Sequence, residues 1–245
     1  MFKKLFLCTI LGLCCLSEGV FADKVGLLIM ATGKYIIFVE PLLKSARTHF
    51  CPNHQVTFFI FTDRQAPISP DVVSIYQPKL GWPFDTMMRN QVYASHRDLL
   101  ETQDYLFACD ADMLFVDTVG DEILGERVAT MHPGFVGKRG SYETSPSSLA
   151  CVNQYEGEYY FAGGFYGAKG EEFLNIATTL AKRVNDDLKG GVIAVWHDES
   201  HWNRYCIDHK PTVILNPSYC YPEELDLPYP KKLLALCKDH KEFQQ

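Results

Sequence analysis

No stretch of the chain gathers positive charge: 23 Lys and Arg are scattered against 30 Asp and Glu, for a net charge of −7. Without a basic cluster there is little to neutralise nucleic-acid phosphates, which excludes nucleic acid as a partner. Beyond the N-terminus no apolar run approaches the roughly 20 residues of a membrane-spanning helix. No two cysteines have C-x-x-C spacing, which argues against a structural zinc site. Internal repeats and linker-like composition are absent. So is any N-x-S/T sequon, because "NPS" at 216–218 carries the forbidden proline. What is present is a globular composition: 47% hydrophobic and 13% aromatic residues among 245, enough for one domain with a real core.

The N-terminus reads as a targeting segment. Lys3 and Lys4 precede "LFLCTILGLCCL", and "SEGVFA" follows, with a small-residue cleavage site after Ala22. Residues 1–22 are therefore expected to be a signal peptide, with a short uncleaved signal-anchor as the alternative. Residues 23–245 are expected to form one catalytic domain. The corresponding localisation is the secretory pathway, or membrane association through the N-terminal segment. Of nine cysteines, Cys8, Cys14 and Cys15 fall in the leader. Cys51, Cys109, Cys151, Cys206, Cys220 and Cys237 remain, and an oxidising compartment would allow some to pair. Cys109 lies in an apolar run and reads as a buried small hydrophobe.

Apolar runs at 24–31, 55–62 and 104–110 read as buried strands. Further strands are expected at 127–135, at 159–168 broken by its Gly pair, and at 212–216. Helical spacing covers 35–50 with Pro41 inside, 85–102 with Asp85 as N-cap, 170–188 and 194–209. Alternating strands and helices predict an α/β fold with a mostly parallel central sheet flanked by helices. Residues 136–158 are the longest irregular stretch, of the kind that serves as a binding or lid segment.

Three stretches carry candidate chemistry. In "YLFACDADMLF", Asp110 and Asp112 are two apart at the carboxyl end of a strand, so both carboxylates face one way. Such a pair repels unless a cation lies between, and hard oxygen ligands suit Mg²⁺ or Mn²⁺ held jointly with phosphates. Solvated turn aspartates are the plain alternative. An EF-hand is excluded, because Phe115 stands where its loop needs glycine. "WHDESH" at 196–201 places His197 and His201 four apart, a spacing that suits a zinc hydrolase, yet Asp198 stands where H-E-x-x-H requires Glu. "YFAGGFYG" at 160–167 offers Gly163 and Gly164, past which a ligand can approach the backbone. Trp196, Trp202 and these glycine-rich edges would also serve a non-catalytic, lectin-like sugar binder.

"FFIFTD", "YLFACDADM", "MHPGF", "AGGFYG", "AVWHDESHWNRY" and "HKPTVILNP" occur in the order and approximate spacing of glycosyltransferase family 6, which the sequence resembles from residue 25 to about 240. This is the family of the ABO transferases, α-1,3-galactosyltransferase and Forssman synthase. The resemblance implies a GT-A fold. It implies a retaining α-1,3-transfer of GalNAc or Gal from a UDP-sugar to a galactose-containing glycan or glycolipid. It assigns Met30, Ala31, Thr32 and Tyr35 to the uridine side, with Arg89, Asp198, Lys238 and His240 at the donor. Asp110 and Asp112, flanking Ala111, match the D-x-D that binds Mn²⁺. Ala162, Gly163 and Gly164 match the stretch that tunes donor choice, and hydrogen at Gly164 favours UDP-GalNAc over UDP-Gal. His132 and Trp196 match acceptor contacts, and Glu199 the glutamate at the anomeric carbon, which also meets the acceptor. Many microbial members carry N-x-N and work without metal; both aspartates here imply Mn²⁺ dependence. Pro222, beside Glu223, falls where vertebrate members have an acceptor-binding aspartate, so the resemblance leaves acceptor identity open.

Overall fold

The structure, a computed structural model, describes residues 22–243. The expected leader, apart from Ala22, and the side chain of His240 lie outside the described residues. In chain order the elements are β1 Lys24–Met30, α1 Ile36–His49, β2 Gln55–Thr62, β3 Val72–Tyr76, α2 Phe84–Met87, α3 Arg89–Ser95, α4 Arg97–Leu100, β4 Tyr105–Asp110, β5 Met113–Phe115, β6 Arg127–Met131, β7 Phe161–Lys169, α5 Gly170–Lys189, α6 His197–Asp208, β8 Val213–Leu215, β9 Tyr221–Pro222, β10 Leu233–Ala235 and α7 His240–Phe243. No helix among the described residues is long and apolar enough to cross a membrane.

Seven strands form one sheet in the order β3-β2-β1-β4-β7-β6-β8. Neighbours run parallel except at β7, which is antiparallel to both β4 and β6. Side chains alternate across each strand, so a continuous apolar run feeds two cores. Leu27, Ile29, Phe58, Phe107 and Phe165 face α1, with Val39, Leu42 and Leu43 packed on them. Leu28, Phe59, Leu106 and Tyr166 face the other way, toward α3, α5 and α6. Phe107 and Phe165 stack at 5.6 Å across the β4–β7 pair. The pairing tolerates no side chain at Gly167, where a Cβ would lie 2.2 Å from the Phe107 ring. The result is a helix–sheet–helix single domain, in agreement with the GT-A expectation.

Several expectations need correction. The 85–102 segment is three short helices, because the chain leaves helical geometry at Met88 and His96. Asp85 is not an N-cap. It lies inside α2, and its Oδ1 accepts from Leu80 N at 2.7 Å and Thr32 Oγ1 at 3.2 Å. The Gly pair does not break β7, which runs unbroken through both glycines. The strand expected at 127–135 ends at Met131, where the His132 side chain accepts from Gly134 N and caps a tight turn. The helix expected at 194–209 starts at His197, and His197 enters it with φ +52°. Edge strand β3 and a second sheet in the order β5-β10-β9 were not anticipated. Pro41 is tolerated inside α1 on its exposed side, where water can take the carbonyl its missing N–H leaves free.

Residues 136–158 are irregular, as expected, yet firmly anchored. The Glu143 carboxylate accepts from Ser145 N and Val195 N. Asp187 of α5 accepts from Ser148 Oγ at 2.6 Å and Leu149 N at 2.8 Å.

Candidate active site

The carboxyl ends of β1 and β4 meet the amino end of antiparallel β7 here, which leaves a crevice of the kind where α/β sheets bind ligands. Register sets Met30 opposite Asp110 across the β1–β4 pair. A cavity of about 220 Å³ opens there, lined by Met30, Thr32, Tyr35, Trp82, Asp85, Thr86, Arg89, Asp110, Ala111, Asp112 and Lys238. A second, of about 180 Å³, is lined by Trp82, Thr86, Arg89, Asp110, Gly163, Gly164, Trp196, His197, Asp198 and Glu199. Trp82, Thr86, Arg89 and Asp110 line both, so the two are continuous.

Arg89 organises the junction. Its Nη1 donates to Asp110 Oδ1 at 2.9 Å and to Gly163 O at 3.1 Å, and its Nε meets Asp198 Oδ2 at 2.8 Å. Burial opposes the guanidinium charge, but Asp198 and Asp110 outweigh it and raise the Arg89 pKa. Burial pushes the Asp198 carboxyl up to about 6, with Arg89 pulling against it. On the other side Asp112 is buried and paired with Lys238, whose ammonium lies 5.2 Å above the Tyr35 ring. Burial and then the nearness of Asp110 raise the Asp112 carboxyl. The C-terminal segment is held down at Phe243, which packs on Tyr35 and Phe38 at 5.2 and 5.3 Å.

Glu199 lies one residue beyond Asp198 on α6. Its Oε1 accepts from the Tyr160 hydroxyl and its Oε2 from Gly163 N, each at 2.8 Å. Burial pushes this carboxyl up to about 7, although both hydrogen bonds favour its ionised form. Trp196 stands at the rim, 48% exposed, its indole N–H donating to Ser141 Oγ at 2.8 Å.

Among the described residues, five carboxyl groups (Asp85, Asp110, Asp112, Asp198, Glu199) and two cations, Arg89 and Lys238, line the joined cavities. The surplus negative charge and the two hard oxygen donors on Asp110 and Asp112 fit a divalent cation completed by ligand phosphates and water. No group of three or more His, Cys, Asp or Glu among the described residues could hold an ion unaided.

The structure gathers most of the sequence candidates and separates a few. Ala31 is fully buried away from the cavity, its N–H donating to Phe61 O and its carbonyl accepting from Thr62 Oγ1. Ala162 is buried in β7 and lines neither cavity. His132 stands one ring behind the site, 5.7 Å from the Tyr160 ring. His197 and His201 enter different surroundings. The former packs edge-on to Trp82 at 4.8 Å, and the latter is buried with Nε2 3.5 Å from Asp187. They form no zinc pair, because the His197 ring lies against Trp82 while His201 is buried beside Asp187. Pro222 pairs with β10, and the Glu223 carboxylate beside it is occupied by Cys237 N at 3.0 Å. All six described cysteines are free thiols.

Trp82, Asp85, Thr86 and Tyr160 escaped the sequence reading. An aromatic beside proline at the head of a helix, as in "GWPFD", was the one available signal for Trp82. Tyr160 opens the flagged "YFAGGFYG" stretch, but nothing local singled out its hydroxyl.

The comparisons with known proteins agree with this geometry. The model of glycosyltransferase family 6 matches residues 18–245. The chain is 36% identical over 234 residues to histo-blood group ABO system transferase 1 of Rattus norvegicus, covering 88% of this chain and 67% of the relative. It is 34% identical over 244 residues to globoside alpha-1,3-N-acetylgalactosaminyltransferase 1 of Gallus gallus, covering 90% and 68%. It is 33% identical over 227 residues to the protein of that name in Canis lupus familiaris, covering 86% and 64%. The chain thus spans about two thirds of these relatives' length, and it belongs to glycosyltransferase family 6.

Proposed function

We propose that the chain is a retaining α-1,3-glycosyltransferase that moves GalNAc, or less readily Gal, from a UDP-sugar to the 3-hydroxyl of a galactose-type acceptor. The observation that carries this reading is the placement of Glu199. Its carboxylate is gripped at both oxygens in a cavity continuous with the one that holds Asp110 and Asp112.

The chain's own groups divide the work. Met30, Thr32 and Tyr35 form the nucleotide end of the crevice. Asp110 and Asp112 would hold Mn²⁺, which when bound supplies charge neutralisation at the departing diphosphate. Lys238 is the nearby cation that the diphosphate also meets. Arg89 keeps Asp198 and Asp110 oriented, and Asp198 faces the donor hydroxyls. Gly163 and Gly164 let the hexose approach the strand. A Cβ at Gly164 would point at Asp110 Oδ2, 3.3 Å away, and at Cys220 Sγ, 3.4 Å away. That crowding supports the GalNAc preference, because the missing methyl leaves room for a 2-acetamido group. Glu199 lies beneath the sugar as nucleophile or as the stabiliser of an oxocarbenium-like centre. Trp196 offers its exposed indole face to the acceptor ring, with His132 behind.

The test is purified protein with UDP-GalNAc and UDP-Gal, galactose-terminated acceptors, and Mn²⁺ present or absent. Mn²⁺-dependent UDP release coupled to an α-1,3-linked product supports the reading. Consumption of neither donor under any of these conditions sinks it.

A further inference from the structure

The two hydrogen bonds on Glu199 come from one short piece of chain. Tyr160 immediately precedes β7 and Gly163 lies just inside it, so the donors are three residues apart. Asn203, one turn after Glu199 on α6, fixes the piece between them. Its Oδ1 accepts from Phe161 N at 2.8 Å, and its Nδ2 donates to Phe161 O at 2.8 Å and Glu199 O at 2.9 Å. Asn203 and Phe161 are both buried. The strand that donates and the helix that accepts are thereby locked to each other.

The Tyr160 ring is itself fixed. It packs edge-on to Phe135 at 4.9 Å and Tyr142 at 5.1 Å. Burial and then the neighbouring Glu199 push its hydroxyl far above the usual tyrosine range, so it keeps its proton and stays a donor. A rigid ring carrying a permanent donor determines where one carboxylate oxygen points.

We infer that Tyr160 is a positioning residue for the transfer reaction: its hydroxyl sets the orientation of the Glu199 carboxylate beneath the donor sugar and favours its ionised form. The inference rests on the role given to Glu199 above. The groups that face Glu199 are Tyr160 at the head of β7, Asp198 on α6, Asp110 from β4 and Cys220 from the turn before β9. Arg89 reaches it only through Asp198 and Gly163 O. Removing one hydroxyl leaves all of these in place.

Tyr160→Phe keeps the ring packing and deletes the donor. A charge-assisted hydrogen bond favours the ionised carboxylate, so its loss raises the Glu199 pKa. The acid limb of the pH–kcat profile is expected to move up by about one pH unit. Expected kcat falls roughly ten- to hundredfold, with donor KM within about twofold. A ¹³C-NMR titration of the Glu199 carboxyl, assigned by its loss in Glu199→Gln, reads the same shift without turnover. An unchanged acid limb and kcat, or an unchanged carboxyl titration in Tyr160→Phe, overturns the inference. If the wild-type protein transfers nothing, the proposed reaction fails while the carboxyl titration still decides the Tyr160 contact.

Discussion

Arg89 and Asp198 form an ion pair at 2.8 Å with their side chains only 8% and 5% exposed. Removing one member of a buried pair strands the other charge in a medium that solvates it poorly. Arg89 also holds Asp110, so its loss strands two. Arg89→Ala is expected to lower stability by about 3–5 kcal/mol, read from the urea midpoint at unchanged slope. A loss below about 1 kcal/mol would show that water reaches both partners.

Glu199→Gln is expected to abolish transfer and leave the fold intact. It also has a stability signature. Burial raises the folded carboxyl from 4.5 to about 7, so the native state binds this proton more tightly than the unfolded chain does. Its contribution is full below the unfolded value and is lost as pH rises to the folded one, by up to about 3 kcal/mol. Relative to wild type, the glutamine variant should therefore gain stability as pH rises from 4.5 to about 7. Parallel stability–pH curves for the two proteins would contradict the burial of this carboxyl.

On the proposed reading, Asp110→Asn should reduce transfer by more than about a hundredfold, since the charge lost would face the leaving group. Chelation of wild-type protein with EDTA should do the same, and added Mn²⁺ should restore activity. Near-normal turnover in the asparagine variant would refute the metal role.

Gly164→Ala puts a methyl between Asp110 and Cys220. The expected outcome is a fall in the GalNAc-to-Gal ratio of kcat/KM by about 10- to 200-fold, the range open to a single small group. A ratio that does not move would place donor choice elsewhere.

What the sequence disclosed follows its periodicities. β1, β2 and β4 are buried on both faces, so their apolar runs were plain, and the D-x-D fell at a strand end as expected. β5, β9 and β10 are three, two and three residues long, too short for any period to register. β3 is a half-exposed edge strand behind two prolines, Pro67 and Pro70, and gave no contrast. The resemblance placed Ala31 at the uridine side, yet its backbone bonds to Phe61 and Thr62 bury it beside the sheet. Tyr160 was hidden for a different reason. Its value lies in a contact with Glu199, 39 positions along the chain, and no local pattern encodes that.

β10 is the middle strand of the small sheet, bonded to β5 on one side and β9 on the other, and Lys238 follows it by three residues. Asp112 and Lys238 are separated by 126 positions. In order of synthesis, then, Asp110 and Asp112 are made long before Lys238, and β5 keeps an open edge until β10 is made. Clipping the chain before Leu233 would remove the strand that joins β5 to β9 together with the charge that faces Asp112. Protease access to this tail would thus report on assembly of the whole pocket.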